Sequence, residues 1–154
     1  MAGRKTAWSK DVLRDLSEGG LDLQVLLEMQ RGDKEDDRFE AMLAIEQEKV
    51  SWSERILVPI GEHLYVVQKG ADRIVKCSCG HEFGDYRQNW KLSALVYARD
   101  TEESLGEIYP GPRKCDVEWM GLREYYCPGC GTILEMEAVP PGYPVVFDFL
   151  PDLD

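Results

Sequence analysis

The sequence predicts an α+β fold, with N-terminal helices followed by a mainly antiparallel β domain stapled by a four-cysteine, zinc-ribbon-like site. Three observations carry this prediction. Apolar residues recur at helical spacing as far as about Val50. After Ser51-Trp-Ser53 the period changes to short runs of branched and aromatic residues separated by turn residues. Two cysteine pairs, Cys77-Ser-Cys79 and Cys127-Pro-Gly-Cys130, stand at the ends of such runs, and each is followed by glycine. The chain therefore divides into a helical segment (1–55), a zinc-binding β domain (56–139) and a Pro-rich, apolar tail (140–154).

Met1 to Trp8 is basic and reads as a loose start. Ser9 caps a helix through Ser17 that carries Val12, Leu13 and Leu16 on one face, and Gly19-Gly20 ends it. Asp22 caps a second helix with Leu23, Leu26 and Leu27 on one face until Gly32. Asp33 to Arg38 reads as a solvated acidic turn whose charges complement the dipole of a third helix, and Phe39, Met42, Leu43 and Val50 set that helix's spacing. Ile56 to Ile60, His63 to Gln68 and Arg73 to Lys76 then form a strand meander that delivers the first cysteine pair. Leu92 to Ala98 fits either a strand or a helix, and Thr101 to Tyr109 fits a short helix. Val117 to Tyr126 delivers the second pair, and Thr132 to Val139 leaves it as a strand. Trp90, Tyr97 and Trp119 are read as core aromatics. The tail opens with Pro140-Pro-Gly-Tyr-Pro144, which cannot continue a sheet interior because proline lacks the N–H donor. The apolar Val145 to Pro151 stretch that follows reads as a segment lying on another subunit rather than as an edge strand.

The cysteines are the chemically informative residues. Zinc holds thiolates at about 2.3 Å, which places the sulfurs of a tetrahedral site roughly 3.8 Å apart. Residues i and i+2 of an extended strand are about 6.5 Å apart, so the C-x-C pair must turn sharply to chelate one ion. Gly80 and Gly131 suit such turns, because glycine adopts positive φ without steric cost. The turns also aim backbone N–H groups at the sulfurs. Cys77, Cys79, Cys127 and Cys130 are thus read as one closed structural zinc site, with His81 in place of Cys79 as the alternative fourth ligand. A pair of disulfides would leave Cys115 over, and that residue reads as a bystander thiol. His63 reads as a structural histidine.

Acidic residues outnumber basic ones by 29 to 18, for a net charge of −11, which argues against a nucleic-acid surface. With 44% hydrophobic residues in 154, the chain can bury a core, and its apolar runs are too short and too broken by charge to span a bilayer. Reduced cysteines and the lack of a secretory leader point to the cytoplasm. There is no phosphate-binding G-x-x-x-x-G-K-[ST], no G-x-G-x-x-G after a strand and no G-x-S-x-G elbow, so no catalytic residue is assigned to this chain.

The block Cys77-Ser-Cys-Gly-His-Glu-Phe-Gly-Asp-Tyr86, with Asn89 to Ser93, Arg99-Asp-Thr101 and Glu107 to Pro110, resembles the small (gamma) subunit of acetone carboxylase. Arg123 to Thr132, Tyr143-Pro-Val145, Asp148-Phe149 and Pro151-Asp152 resemble its second half. The resemblance is weaker before Ile56. The chain stops soon after Asp152, where the acetone enzyme's subunit runs on, and this brings in the related acetophenone carboxylase. The resemblance implies a biotin-independent, ATP-dependent ketone carboxylase that joins acetone or acetophenone to bicarbonate as a 3-oxo acid. It implies larger hydantoinase/oxoprolinase-like partner subunits carrying ATP and a divalent Mn or Mg ion, and a zinc-bound, non-catalytic part for this chain. A free-standing zinc-ribbon binding module is the alternative, and a zinc enzyme working alone, which needs an open ligand position, is a third.

Overall fold

The computed structural model describes residues 8–113 and 115–153, so the basic start expected before Trp8 lies outside the described residues. Three helices come first: α1 (Lys10–Glu18), α2 (Leu23–Arg31) and α3 (Arg38–Lys49). The expected caps are present. Ser9 accepts from the Val12 N–H and Asp22 from the Gln24 N–H, and Gly19 closes α1 in the left-handed region at φ 74°. Leu13, Met29 and Ile45, one from each helix, are buried together. Arg14 and Lys10 of α1 both donate to Glu48 of α3. The acidic run before α3 is not wholly solvated as expected, because Glu35 is buried and accepts from Arg38 Nε at 2.7 Å.

Two antiparallel meanders follow. The first is the sheet β1 (Arg55–Gly61), β2 (Leu64–Lys69), β3 (Asp72–Cys77) and β4 (Glu82–Asp85), hydrogen-bonded in that order. The second is β5 (Leu95–Arg99), β6 (Gly121–Tyr126) and β7 (Ile133–Val139), with the short helix α4 (Glu102–Gly106) in the β5–β6 connection. Strand alternation sorts the first sheet into two buried faces. Tyr65, Val67 and Ile74 pack with Leu43 and Val50 of the helical segment. Leu64, Val66, Val75 and Cys77 pack with Trp90, Tyr125 and Cys127. The first sheet is thus a middle layer between the helices and the second sheet, which is why β2 is buried along most of its length.

Several sequence expectations need correction. β4 was not anticipated; it pairs with β3 across the first cysteine turn, with Gly84 at φ 99°. Leu92 to Ala98 is split between a 3-10 turn (Trp90–Ser93) and β5. β6 begins only at Gly121, because the chain from Val117 to Met120 turns back on Asp116. His63 stands in the β1–β2 turn rather than in a strand. Trp90 is a core aromatic, but Tyr97 and Trp119 are exposed, Trp119 by 76%. The tail forms no strand; it folds back so that Val145 and Leu153 lie against the inner core while Phe149 and Leu150 face outward.

Candidate metal centre

The first cysteine pair occupies the β3–β4 turn and the second the β6–β7 turn, so each lies at a hairpin tip. The two tips are built alike. The Cys77 N–H donates to the His81 carbonyl at 2.8 Å, and the Cys127 N–H donates to the Thr132 carbonyl at 2.9 Å. Inside these closures Gly80 donates to the Cys77 carbonyl and Gly131 to the Cys127 carbonyl, both at 2.8 Å. Gly80 has φ 98° and Gly131 φ 71°, a region that a side chain at Cβ disfavours. The second turn spans one residue more, matching C-x-x-C against C-x-C.

The four sulfurs of Cys77, Cys79, Cys127 and Cys130 converge, all lying within 4.8 Å of one another. Cys77 Sγ is 3.9 Å from Cys130 Sγ and Cys79 Sγ is 3.7 Å from Cys127 Sγ, so the short contacts run between the hairpins. These separations fit the roughly 3.8 Å edge of a tetrahedral four-thiolate zinc site and are far beyond a disulfide bond. Cys77 and Cys127 are fully buried, while Cys79 and Cys130 are exposed. Burial pushes the Cys77 thiol up to about 12 and raises Cys127 as well, whereas the Thr132 hydroxyl and N–H draw Cys130 down to about 6. Backbone N–H groups of Cys79, Gly129, Cys130 and Thr132 point at the sulfurs and favour the thiolates. Two buried thiols that resist ionisation alone, within a set of N–H donors aimed at sulfur, fit a cation that would pair all four charges.

His81 is not among the converging groups. Its ring sits edge-on to Phe83 at 5.0 Å and lies against Gly129 of the other turn. Cys115 stands apart from the cluster, with its sulfur 3.4 Å from the Met120 carbonyl oxygen. Trp52 supports the centre without any signal in the sequence beyond its place where the period changes. Its indole N–H is shared between the carbonyls of Cys77 (3.2 Å) and Ser78 (3.1 Å), and its ring lies 3.6 Å from where a Gly80 side chain would begin. A cleft of about 1030 Å³ between the helices and the first sheet reaches Ser78, between the first two cysteines, and its Ser17, Glu46, Lys49 and Tyr65 side chains are hydrogen-bonded among themselves. No helix among the described residues is long and apolar enough to cross a membrane.

Two hairpin tips clasping four thiols define a zinc-ribbon-like domain, here on a three-helix base. The family model for the acetone carboxylase gamma subunit matches residues 50–154. The acetone carboxylase gamma subunit of Xanthobacter autotrophicus is 40% identical over 150 residues, covering 96% of this chain and 89% of that protein. The acetophenone carboxylase beta subunit of Aromatoleum aromaticum is 33% identical over 78 residues, covering 49% of this chain and 60% of that protein. The chain belongs to the acetone carboxylase gamma subunit family. The alignment with the Xanthobacter protein also takes in most of the helical segment, where the sequence alone offered little resemblance.

Proposed function

We propose that this chain is the non-catalytic, zinc-stabilised small subunit of a biotin-independent, ATP-dependent ketone carboxylase. The observation that carries the reading is the closed cluster of four sulfurs between two hairpins, 3.7 and 3.9 Å apart in pairs, in a chain of this family. Cys77, Cys79, Cys127 and Cys130 would hold the zinc, and the bound ion would neutralise their charge and lock the hairpin tips together. Four thiolates leave no open position for water or substrate, so the metal's role is to hold the fold. ATP, a Mn or Mg ion and the joining of ketone to bicarbonate as a 3-oxo acid then belong to larger hydantoinase/oxoprolinase-like subunits. Between acetone and acetophenone, the longer and closer alignment favours acetone. The tail is a subunit contact in this reading: Val145 and Leu153 anchor it inward and leave Phe149 and Leu150, more than half exposed, for a partner.

Native mass spectrometry of the tagged chain, purified from its own cells, tests the reading. The expected result is a large complex with ATP-using subunits and one zinc mass per copy of this chain. A lone zinc-bearing protomer would instead support an independent binding module. A protomer without metal would overturn the zinc assignment.

A further inference from the structure

The second sheet has one face on which only part is covered. Register places Leu95, Tyr126 and Ile133 in one row across the strands and Tyr97, Glu124 and Met136 in the next. Because pairing keeps cross-strand neighbours on the same side, all six share a face. The following row, Arg99, Leu122 and Ala138, is sheltered by α4 and the residue after it: Arg99 Nη1 donates to the Ser104 carbonyl at 2.8 Å and to Glu107 at 2.6 Å. The first two rows are open. Leu95 is 57% exposed, Met136 47%, Ile133 42% and Tyr97 41%. The one charge within them, Glu124, is buried and accepts 2.7 Å bonds from Arg99 Nε and the Tyr126 hydroxyl. What remains is a contiguous apolar surface whose internal charge is already paired, bordered by β5, which pairs with β6 on one side.

The surroundings decide what kind of molecule fits there. At one end stand Glu102 and Glu103 of α4, both exposed, and the Glu107 carboxylate. At the other end is the cysteine cluster, whose four thiolates would keep a net charge of about −2 around a divalent ion. The chain as a whole carries −11. A second copy laid on this face would bring like charges together at both ends, which disfavours that pairing. A different chain with an apolar centre and a Lys/Arg rim is complementary. The face is also separate from the tail, which lies on the opposite side of the sheet. There Arg123 donates to the Tyr143 and Pro144 carbonyls, and buried Lys91 joins Glu135 and Glu137 to Asp148.

We propose that the surface formed by Leu95, Tyr97, Tyr126, Ile133 and Met136 docks on a larger subunit of the carboxylase through an apolar patch ringed by basic side chains. The proposal rests on the reading of this chain as a carboxylase subunit. With the tail on the other side, the small subunit would then have two opposed contact surfaces.

The test is co-expression of the tagged chain with its larger subunits, followed by size exclusion and affinity measurement. Leu95→Glu and Met136→Glu place an unpaired charge in the patch. Leu23→Glu, at an exposed leucine on α2, is the control for added charge. The expected result is that both patch variants keep wild-type zinc content and melting temperature but bind the larger subunits at least roughly ten-fold more weakly, as for a residue central to an interface. Leu23→Glu should bind as wild type. Tyr97→Ser is the milder variant if either charge impairs folding, with the same readout. Folded, zinc-loaded patch variants that assemble with wild-type affinity would overturn the proposal. So would an isolated wild-type chain that dimerises through this face and is split by Met136→Glu, since the occupant would then be a second copy. A wild-type chain that binds no larger subunit would remove the subunit reading itself, and this surface assignment with it.

Discussion

Gly129, inside the second cysteine turn, lies directly against His81, the residue that closes the first: a Cβ at position 129 would stand 2.9 Å from the His81 Cβ. The contact is between near-backbone atoms, so no side-chain rotation relieves it. The two hairpin tips approach closely enough to share four sulfurs because this position has no side chain. Gly129→Ala should therefore push the tips apart and cost about 1–3 kcal/mol, as overpacking of a close contact does. Denaturant unfolding with zinc in excess measures this; unchanged stability would mean the tips are free to separate.

His81→Ala should leave one zinc per chain, because the convergent group comprises the four cysteines. The loss of the edge-on contact with Phe83 should cost about 1 kcal/mol. Zinc content by mass spectrometry discriminates the cases. A drop in stoichiometry for His81→Ala, with Cys79→Ser unaffected, would make His81 the fourth ligand.

Cys127→Ser should yield insoluble or unassembled protein and not a folded, slow enzyme. The sulfur is fully buried, and zinc coordination contributes on the order of 10 kcal/mol to the folding of small zinc domains. Solubility and co-purification with the larger subunits are the readouts, and a folded, fully assembled variant would count against a structural zinc.

Lys91 is 2.6 Å from Glu135 and 3.2 Å from Asp148, over the Tyr125 ring, with its side chain 1% exposed. Lys91→Met would leave Glu135, about a third exposed, and Asp148, more than half exposed, without their cation; water makes up part of the loss, so the cost should be about 1–3 kcal/mol. Burial by itself lowers the lysine's pKa, but the hydrogen bonds to Glu135 and Asp148 outweigh it and the net shift is upward. A raised folded value means that this stabilisation is complete below the ordinary lysine value of 10.5 and is lost as pH climbs through the higher folded one. The wild type should lose part of its stability in that alkaline window, and Lys91→Met should not show the same loss. Parallel alkaline slopes in denaturant titrations would remove the pair from the account.

The tail can be tested without unfolding it. Truncation after Pro144 removes Val145, Leu153 and the Asp148–Lys91 bond, so it weakens the fold as well as any contact. Phe149→Ala with Leu150→Ala changes outward side chains. Assembly should weaken while the melting temperature of the isolated chain holds; full assembly of this double variant would place the partner contact elsewhere.

What proved legible beforehand is what is local in the chain. The caps at Ser9 and Asp22 each depend on a side chain and an N–H two or three residues away, so their letters suffice. The cysteine turns have the same character: Gly80 and Gly131 announce positive φ, and the pairing of C-x-C with C-x-x-C announces convergence. β4 was hidden because Glu82-Phe-Gly-Asp85 is too short to show a period and is a strand only because β3 lies beside it. The exposure of Tyr97 and Trp119 was equally hidden, since an aromatic residue reads as core wherever it stands until its surroundings are known.

The sequence by itself determined the class of fold, the order of helices and most strands, the four sulfurs and the family, because each is written in spacing or in residue type. Tertiary structure alone decided that the first sheet is the middle layer, that Trp52 braces the first cysteine turn and that Lys91 is buried among acids from β7 and the tail. It also decided which face of the second sheet stays bare. Those outcomes depend on groups many residues apart meeting in a low-dielectric interior, where charges must pair and hydrogen bonds must close, and no local pattern in the chain encodes such a meeting.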